Sequence, residues 1–169
     1  MAYPTTLSFV PVEQYVGIQP IASTSTTQQH PLGTVVKAKD IAYGEAEFIY
    51  LKGVASTAAG DLVSYDPKNA TTTRTVAATR GPLAVAMSAN VALQYGWYCI
   101  NGVVPVSTAS AGTGAANSLL AVTSTAGQAT VSGTASVKVD GALCVSAQGA
   151  PGTGFTDVVL ARPAANGNT

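Results

Sequence analysis

Charge is scarce in this chain. Asp, Glu, Lys and Arg make up 9% of its 169 residues, against about a quarter in an ordinary soluble domain. From Gly81 to Val137 they are absent for 57 consecutive positions. The 8 basic and 8 acidic residues cancel, and no stripe of Lys and Arg is there to neutralise phosphates, so no nucleic-acid partner is expected. Histidine occurs once, at His30, and cysteine twice, at Cys99 and Cys144. That leaves too few ligands at fixed spacing for a metal site, and no metal or cofactor is expected. No apolar run approaches the roughly 20 residues of a spanning helix, so no membrane partner is expected. The opening M-A-Y-P-T-T-L-S-F-V-P lacks a basic leader region, which argues against a signal peptide. Without a secretory route the two cysteines are expected as reduced, buried thiols, and Asn69-Ala70-Thr71 as a chance sequon.

Apolar residues nevertheless reach 47%, much of it Ala, with only 7% aromatic. Burial stabilises by about 25 cal/mol per Å² of apolar area, and Ala has little area to bury. The expectation is a thin core supplemented by contacts between subunits.

Residues 1–33 read as an extended N-terminal arm. Pro4, Pro11, Pro20 and Pro31 break regular structure there, because proline fixes φ and lacks an amide donor. Apolar residues recur through it, unlike a disordered linker. Phe9, Val10, Val12, Tyr15, Val16 and Ile18 are the candidate partner-binding residues. The alternative is an edge strand or cover on the chain's own domain.

Residues 34–162 read as one β domain, and 163–169 as a flexible polar tail. Short strands are expected at 34–39, 47–54, 61–65, 71–77, 83–87, 97–100, 103–106, 118–123, 129–132, 136–139, 142–146 and 155–161. Turn signals separate them every 8 to 12 residues, the pattern of an all-β antiparallel sandwich or barrel. Asn101-Gly102 between two apolar runs predicts a hairpin turn, which would put Pro105 on an edge or at a bulge. Asp140-Gly141 predicts a second turn. Ser88–Gln94 is the one place where a short helix is expected.

Catalytic chemistry is hard to find. His30 precedes Pro31, a poor setting for a preorganised base, and no G-x-S-x-G elbow occurs. Glu45 and Glu47 share a strand face, whereas a glycosidase pair is separated across a cleft; they read as a charged sheet edge. Asp61 and Asp66 read as turn caps rather than calcium ligands. Gly112-Thr113-Gly114 and Gly152-Thr153-Gly154 lack the Lys and the helix of a phosphate loop. Tyr95, Trp97 and Tyr98 read as core or interface anchors, with a glycan platform as the alternative. The chain is expected not to be an enzyme.

The phrases H-P-L-G-T-V-V-K-A-K-D and G-E-A-E-F-I-Y-L-K-G-V-A-S-T-A-A-G-D-L-V-S-Y-D, followed by G-P-L-A-V-A-M and G-W-Y-C-I-N-G-V-V-P-V, span residues 30–106. In them the chain resembles the head decoration, or cement, proteins of tailed bacteriophages. The resemblance implies a non-enzymatic virion protein made in the host cytoplasm and bound to the outer capsid surface. Its partners would be the major capsid protein and copies of itself, a homotrimer being favoured. The alternative is a tail- or fibre-associated β module that binds host glycans. Deleting residues 2–22 is expected to abolish capsid binding while leaving the domain folded.

Overall fold

The structure is a computed structural model that describes residues 8–11, 17–109, 114–131 and 138–166. It is all-β, with no helix among the described residues. The strands are β1 (Val10–Pro11), β2 (Thr24–Ser25), β3 (Val35–Asp40), β4 (Gly44–Lys52), β5 (Leu62–Tyr65) and β6 (Thr72–Arg74). There follow β7 (Arg80–Ala86), β8 (Tyr95–Ser107), β9 (Leu119–Val122), β10 (Ala129–Val131), β11 (Lys138–Cys144) and β12 (Phe155–Asn166). They form one antiparallel sheet in the order β1-β3-β4-β8-β7-β12-β11-β9-β10, with β2 joined to β8 and the pair β5, β6 joined to β7. The arrangement is compact and sandwich-like.

The alternation of side chains explains why β3 and β4 pair. In V-V-K-A-K-D the residues Val36, Ala38 and Asp40 are buried and Val35, Lys37 and Lys39 face out. In β4, Ala46, Phe48 and Tyr50 enter the main core while Ile49 and Leu51 join a smaller cluster on the opposite face. A strand buried on both faces reads as a continuous apolar run, and F-I-Y-L is one.

β8 organises the fold. Its first half, Tyr95–Asn101, pairs with β4, and its second, Asn101–Ser107, pairs with β12. The hairpin expected at Asn101-Gly102 does not form; the chain runs straight through as a 13-residue strand. The two apolar runs find separate partners instead of each other. The dipeptide's tolerance of positive φ is used for a bulge: Glu47 and Phe48 face Asn101 and Cys99, which leaves Ile100 as the extra residue. Gly102 has φ +108°. An added residue in one strand reverses the parity of everything after it. Thus Trp97 and Cys99 before the bulge, and Val104 and Val106 after it, all reach the same core.

Asp140-Gly141 likewise forms no turn: β11 runs on past it, and the register breaks there, with Gly141 alone facing Ala161, Arg162 and Pro163 of β12. Gly141 has φ +71°, and a Cβ there would lie 2.6 Å from the Ala161 carbonyl oxygen. Ser88–Gln94 is a loop with no helical turn, closed by a bond from Gln94 N–H to Val91 O of 3.3 Å. The expected tail is part of the sheet as far as Asn166, since β12 continues through Pro163 and its residues Ala164–Asn166 pair with Pro82–Arg80. Residues 167–169 lie outside the described residues.

Candidate partner-binding surfaces

The groups weighed as chemistry are tied up in structure. His30 Nε2 accepts a hydrogen bond from Gln19 N–H at 3.0 Å, with the ring packed against Tyr50 and Trp97. Glu47 pairs with Arg162 at 2.8 Å, and Glu45 lies 3.7 Å from Lys37. Asp61 is buried, accepts from Arg74 Nε at 2.9 Å and from Ala58 N–H at 3.0 Å. Burial raises the pKa of its carboxyl against the pull of those two donors. Asp66 caps a turn through Lys68 N–H at 2.8 Å. Among the described residues no three His, Cys, Asp or Glu side chains gather where an ion would bind. Gly112 and Thr113 lie outside the described residues, and Gly152–Gly154 forms part of the β11–β12 connection.

Cys99 and Cys144 are buried and unpaired. Burial pushes their thiols up to about 12 and about 11.

Trp97 and Tyr98 are fully buried on opposite faces of β8. The aromatic trio is therefore no exposed platform. Tyr98 Oη accepts from Asn90 Nδ2 at 2.6 Å, and burial pushes the phenol up to about 12. Trp97 Nε1 donates to the Gln19 carbonyl at 2.9 Å. Gln19 is a hub, because its side-chain oxygen accepts from Tyr50 Oη at 3.0 Å and its amide nitrogen donates to Ser23 O at 2.7 Å. A buried amide whose donors and acceptors are all used is strongly positioned.

That hub changes the reading of the N-terminal segment. Ile21 is 3% exposed in the main core, and β2 adds to β8 through Thr24 and Ser25. A cut after residue 22 would remove Gln19 and Ile21 and uncover Trp97. The expectation that deleting residues 2–22 leaves the domain folded is therefore corrected: the deletion takes Ile21 out of the core and the Gln19 hub away from Tyr50 and Trp97.

Of the six candidate arm residues, Phe9, Val10 and Ile18 are described, while Val12, Tyr15 and Val16 lie outside the described residues. Phe9 packs edge-on against Phe48, ring centres 4.9 Å apart, and Ile18 packs on the main core. Val10 is 62% exposed. Of these three, Val10 is the one that presents an apolar side chain outward.

Two apolar surfaces escaped the sequence reading. On the outer face of β8, β12, β11 and β9, register aligns Val103 with Val159, Val159 with Leu143, and Leu143 with Leu119. Leu119 and Leu143 are 39% and 36% exposed. With Ala161 and Gly141 they border a shallow cleft of about 320 Å³. At one end stands Asp157, whose Oδ1 accepts from Tyr43 Oη at 3.1 Å. The row is legible only once the strand pairings are known, because register alone brings these four residues side by side. The second surface is the loop before β8. Leu93 is 65% exposed at φ +66°, beside exposed Val91 and a second cleft of about 320 Å³ that includes Gly53, Val54 and Thr72. A bulky apolar residue in the left-handed region is uncommon and is held there by its surroundings.

The chain matches no family model, no curated protein and no solved structure.

Proposed function

We propose that this protein is a non-enzymatic structural component of a bacteriophage virion. It binds the outside of the capsid and stabilises contacts between major capsid proteins, after synthesis in the host cytoplasm. The observation that carries this reading is the outward-facing row Val103, Val159, Leu143 and Leu119 on a charge-poor chain. Charge is depleted and large apolar residues are enriched where proteins are fully covered by neighbours. The resemblance of residues 30–106 to decoration proteins points the same way.

Contact with the capsid is assigned to the N-terminal segment, with Val10 as the exposed member, and to the Leu93 loop. Contact between copies is assigned to the apolar row, in a homotrimer. Many identical weak contacts across a shell add up by avidity, so no single footprint needs to be large. No cofactor takes part in this reading.

The test is sedimentation of the purified protein with expanded phage heads stripped of accessory proteins. Saturable occupancy at hundreds of copies per head is expected, falling at least tenfold with Val10→Asp plus Leu93→Asp. Both positions are exposed, so the fold survives the changes. Failure to bind heads, or a copy number of a few per particle, would overturn the proposal.

A further inference from the structure

The outer edge of β3 holds a socket, and its occupant is the chain's own segment 8–11. Three kinds of contact hold it. Ser8 N–H donates to Asp40 Oδ2 at 2.7 Å. Phe9 sets its ring edge-on to the fully buried Phe48 at 4.9 Å. Val10 and Pro11 pair with Lys39 and Ala38 as a two-residue strand. The other carboxylate oxygen of Asp40 accepts from Ala42 N–H at 2.7 Å and Tyr43 N–H at 3.0 Å, which fixes the carboxylate at the mouth of the socket. The socket thus recognises an extended segment by an N–H ahead of an aromatic residue, with backbone pairing after it. That is strand addition to a sheet edge with one side-chain pocket for specificity.

From these contacts we infer that the socket is an exchange site between copies: residues 8–11 of one molecule seat on β3 of a second molecule. Every copy carries the same segment and the same socket, so the exchanged and self-seated forms make the same contacts. Their balance is then set by chain geometry and concentration alone, the condition under which swapping is inexpensive. Five residues separate Pro11 from Gly17, a tether that reaches roughly 20 Å at full extension. The contact is heterologous, segment to socket, so it closes into a ring when the rotation permits. Copies held side by side raise the effective concentration of neighbouring segments to the millimolar range. The inference stands apart from the capsid reading, since it concerns copies of this chain alone.

The pairing of Val10 with Lys39 provides the test. Directly opposed residues of an antiparallel pair lie close enough for a disulfide, and the native cysteines are buried. The double variant Val10→Cys, Lys39→Cys is oxidised across a range of protein concentrations and run on a denaturing gel without reductant. Exchange gives covalent dimers and closed trimers, with the dimer-to-monomer ratio rising about tenfold per tenfold in concentration. It also gives a mixed dimer from an equimolar blend of the two single variants. A cross-linked monomer at every concentration, with no mixed dimer, overturns the inference. So does the absence of any cross-link, which would mean that segment 8–11 is not seated on β3.

Discussion

Gly102→Ala tests whether the bulge in β8 organises the fold. Two penalties act there. The backbone sits at φ +108°, where an L side chain costs about 1–2 kcal/mol. The added Cβ would also lie 2.6 Å from Ala46 Cβ, 2.8 Å from Ala46 Cα and 2.9 Å from the Glu45 carbonyl oxygen. Two of those three atoms are backbone of the neighbouring strand, so relief requires β4 to move, and overpacking of this kind costs about 1–3 kcal/mol. Together they amount to about 2–5 kcal/mol, a large share of a typical total of about 5–15 kcal/mol. Gly33→Ala is the control: Gly33 has φ +81° with nothing within 4 Å, so it carries the backbone penalty alone, about 1–2 kcal/mol. Urea unfolding followed by the fluorescence of the single, fully buried Trp97 measures both. With an m-value of about 2 kcal/mol/M, Gly102→Ala lowers the midpoint by about 1–2.5 M. A loss within about 0.5 kcal/mol of the wild type, or no larger than that of Gly33→Ala, would refute the account.

Arg74→Met leaves the buried Asp61 carboxylate without its ion-pair partner and is expected to cost about 2–4 kcal/mol at pH 7; because the Asp61 pKa is already raised by burial, protonation relieves the loss, and the variant gains stability relative to wild type as the pH falls from 7 toward 5. Asp40 has the opposite sign: burial raises its pKa, but the N–H groups of Ser8, Ala42 and Tyr43 outweigh burial and leave it lowered. Its contribution is therefore full above the unfolded value of about 3.9 and is lost as the pH falls through the lower folded value, so urea midpoints of Asp40→Asn should show a shallower acid limb. Gln19→Ala removes the acceptor of the Tyr50 hydroxyl proton and a donor to the Ser23 carbonyl and should cost about 1–3 kcal/mol, with a red-shifted Trp97 emission. Cys99 and Cys144 should resist an aromatic disulfide reagent at pH 8 in the native protein and react fully in denaturant, since burial holds both thiols near 11–12.

The all-β class was legible because its evidence is local. Alternation in V-V-K-A-K-D, the double-faced run F-I-Y-L and the regular turn signals each specify a strand without knowledge of its partner. The misreadings share one cause. Asn-Gly and Asp-Gly announce positive φ, and a hairpin and a bulge both satisfy it. What decides between them is whether the flanking runs pair with each other or with third strands, and that is tertiary. Asn101-Gly102 sits between runs that pair with β4 and β12, so it became a bulge. The N-terminal segment misled for the same reason. Its prolines and apolar residues read as an arm, yet Gln19, Ile21 and β2 close over Trp97 across a separation of 78 residues. The apolar row was hidden because Leu119, Leu143 and Val159 come from three strands far apart in the chain, and only their register lines them up.

The position of β8 also governs when this protein can fold. It pairs with β2, β4, β7 and β12, and the last of these is synthesised after all the others. Until residues 155–161 leave the ribosome, the second half of β8 lacks the strand that flanks it in the finished sheet. A nascent chain ending near Ser107 therefore carries an uncharged, open sheet edge, the kind of species most prone to aggregation. Completion is slow as well, because contacts this distant must close large loops before they stabilise anything. The sheet is thus assembled all at once and late, and a truncation anywhere before β12 leaves an incomplete sheet rather than a smaller domain.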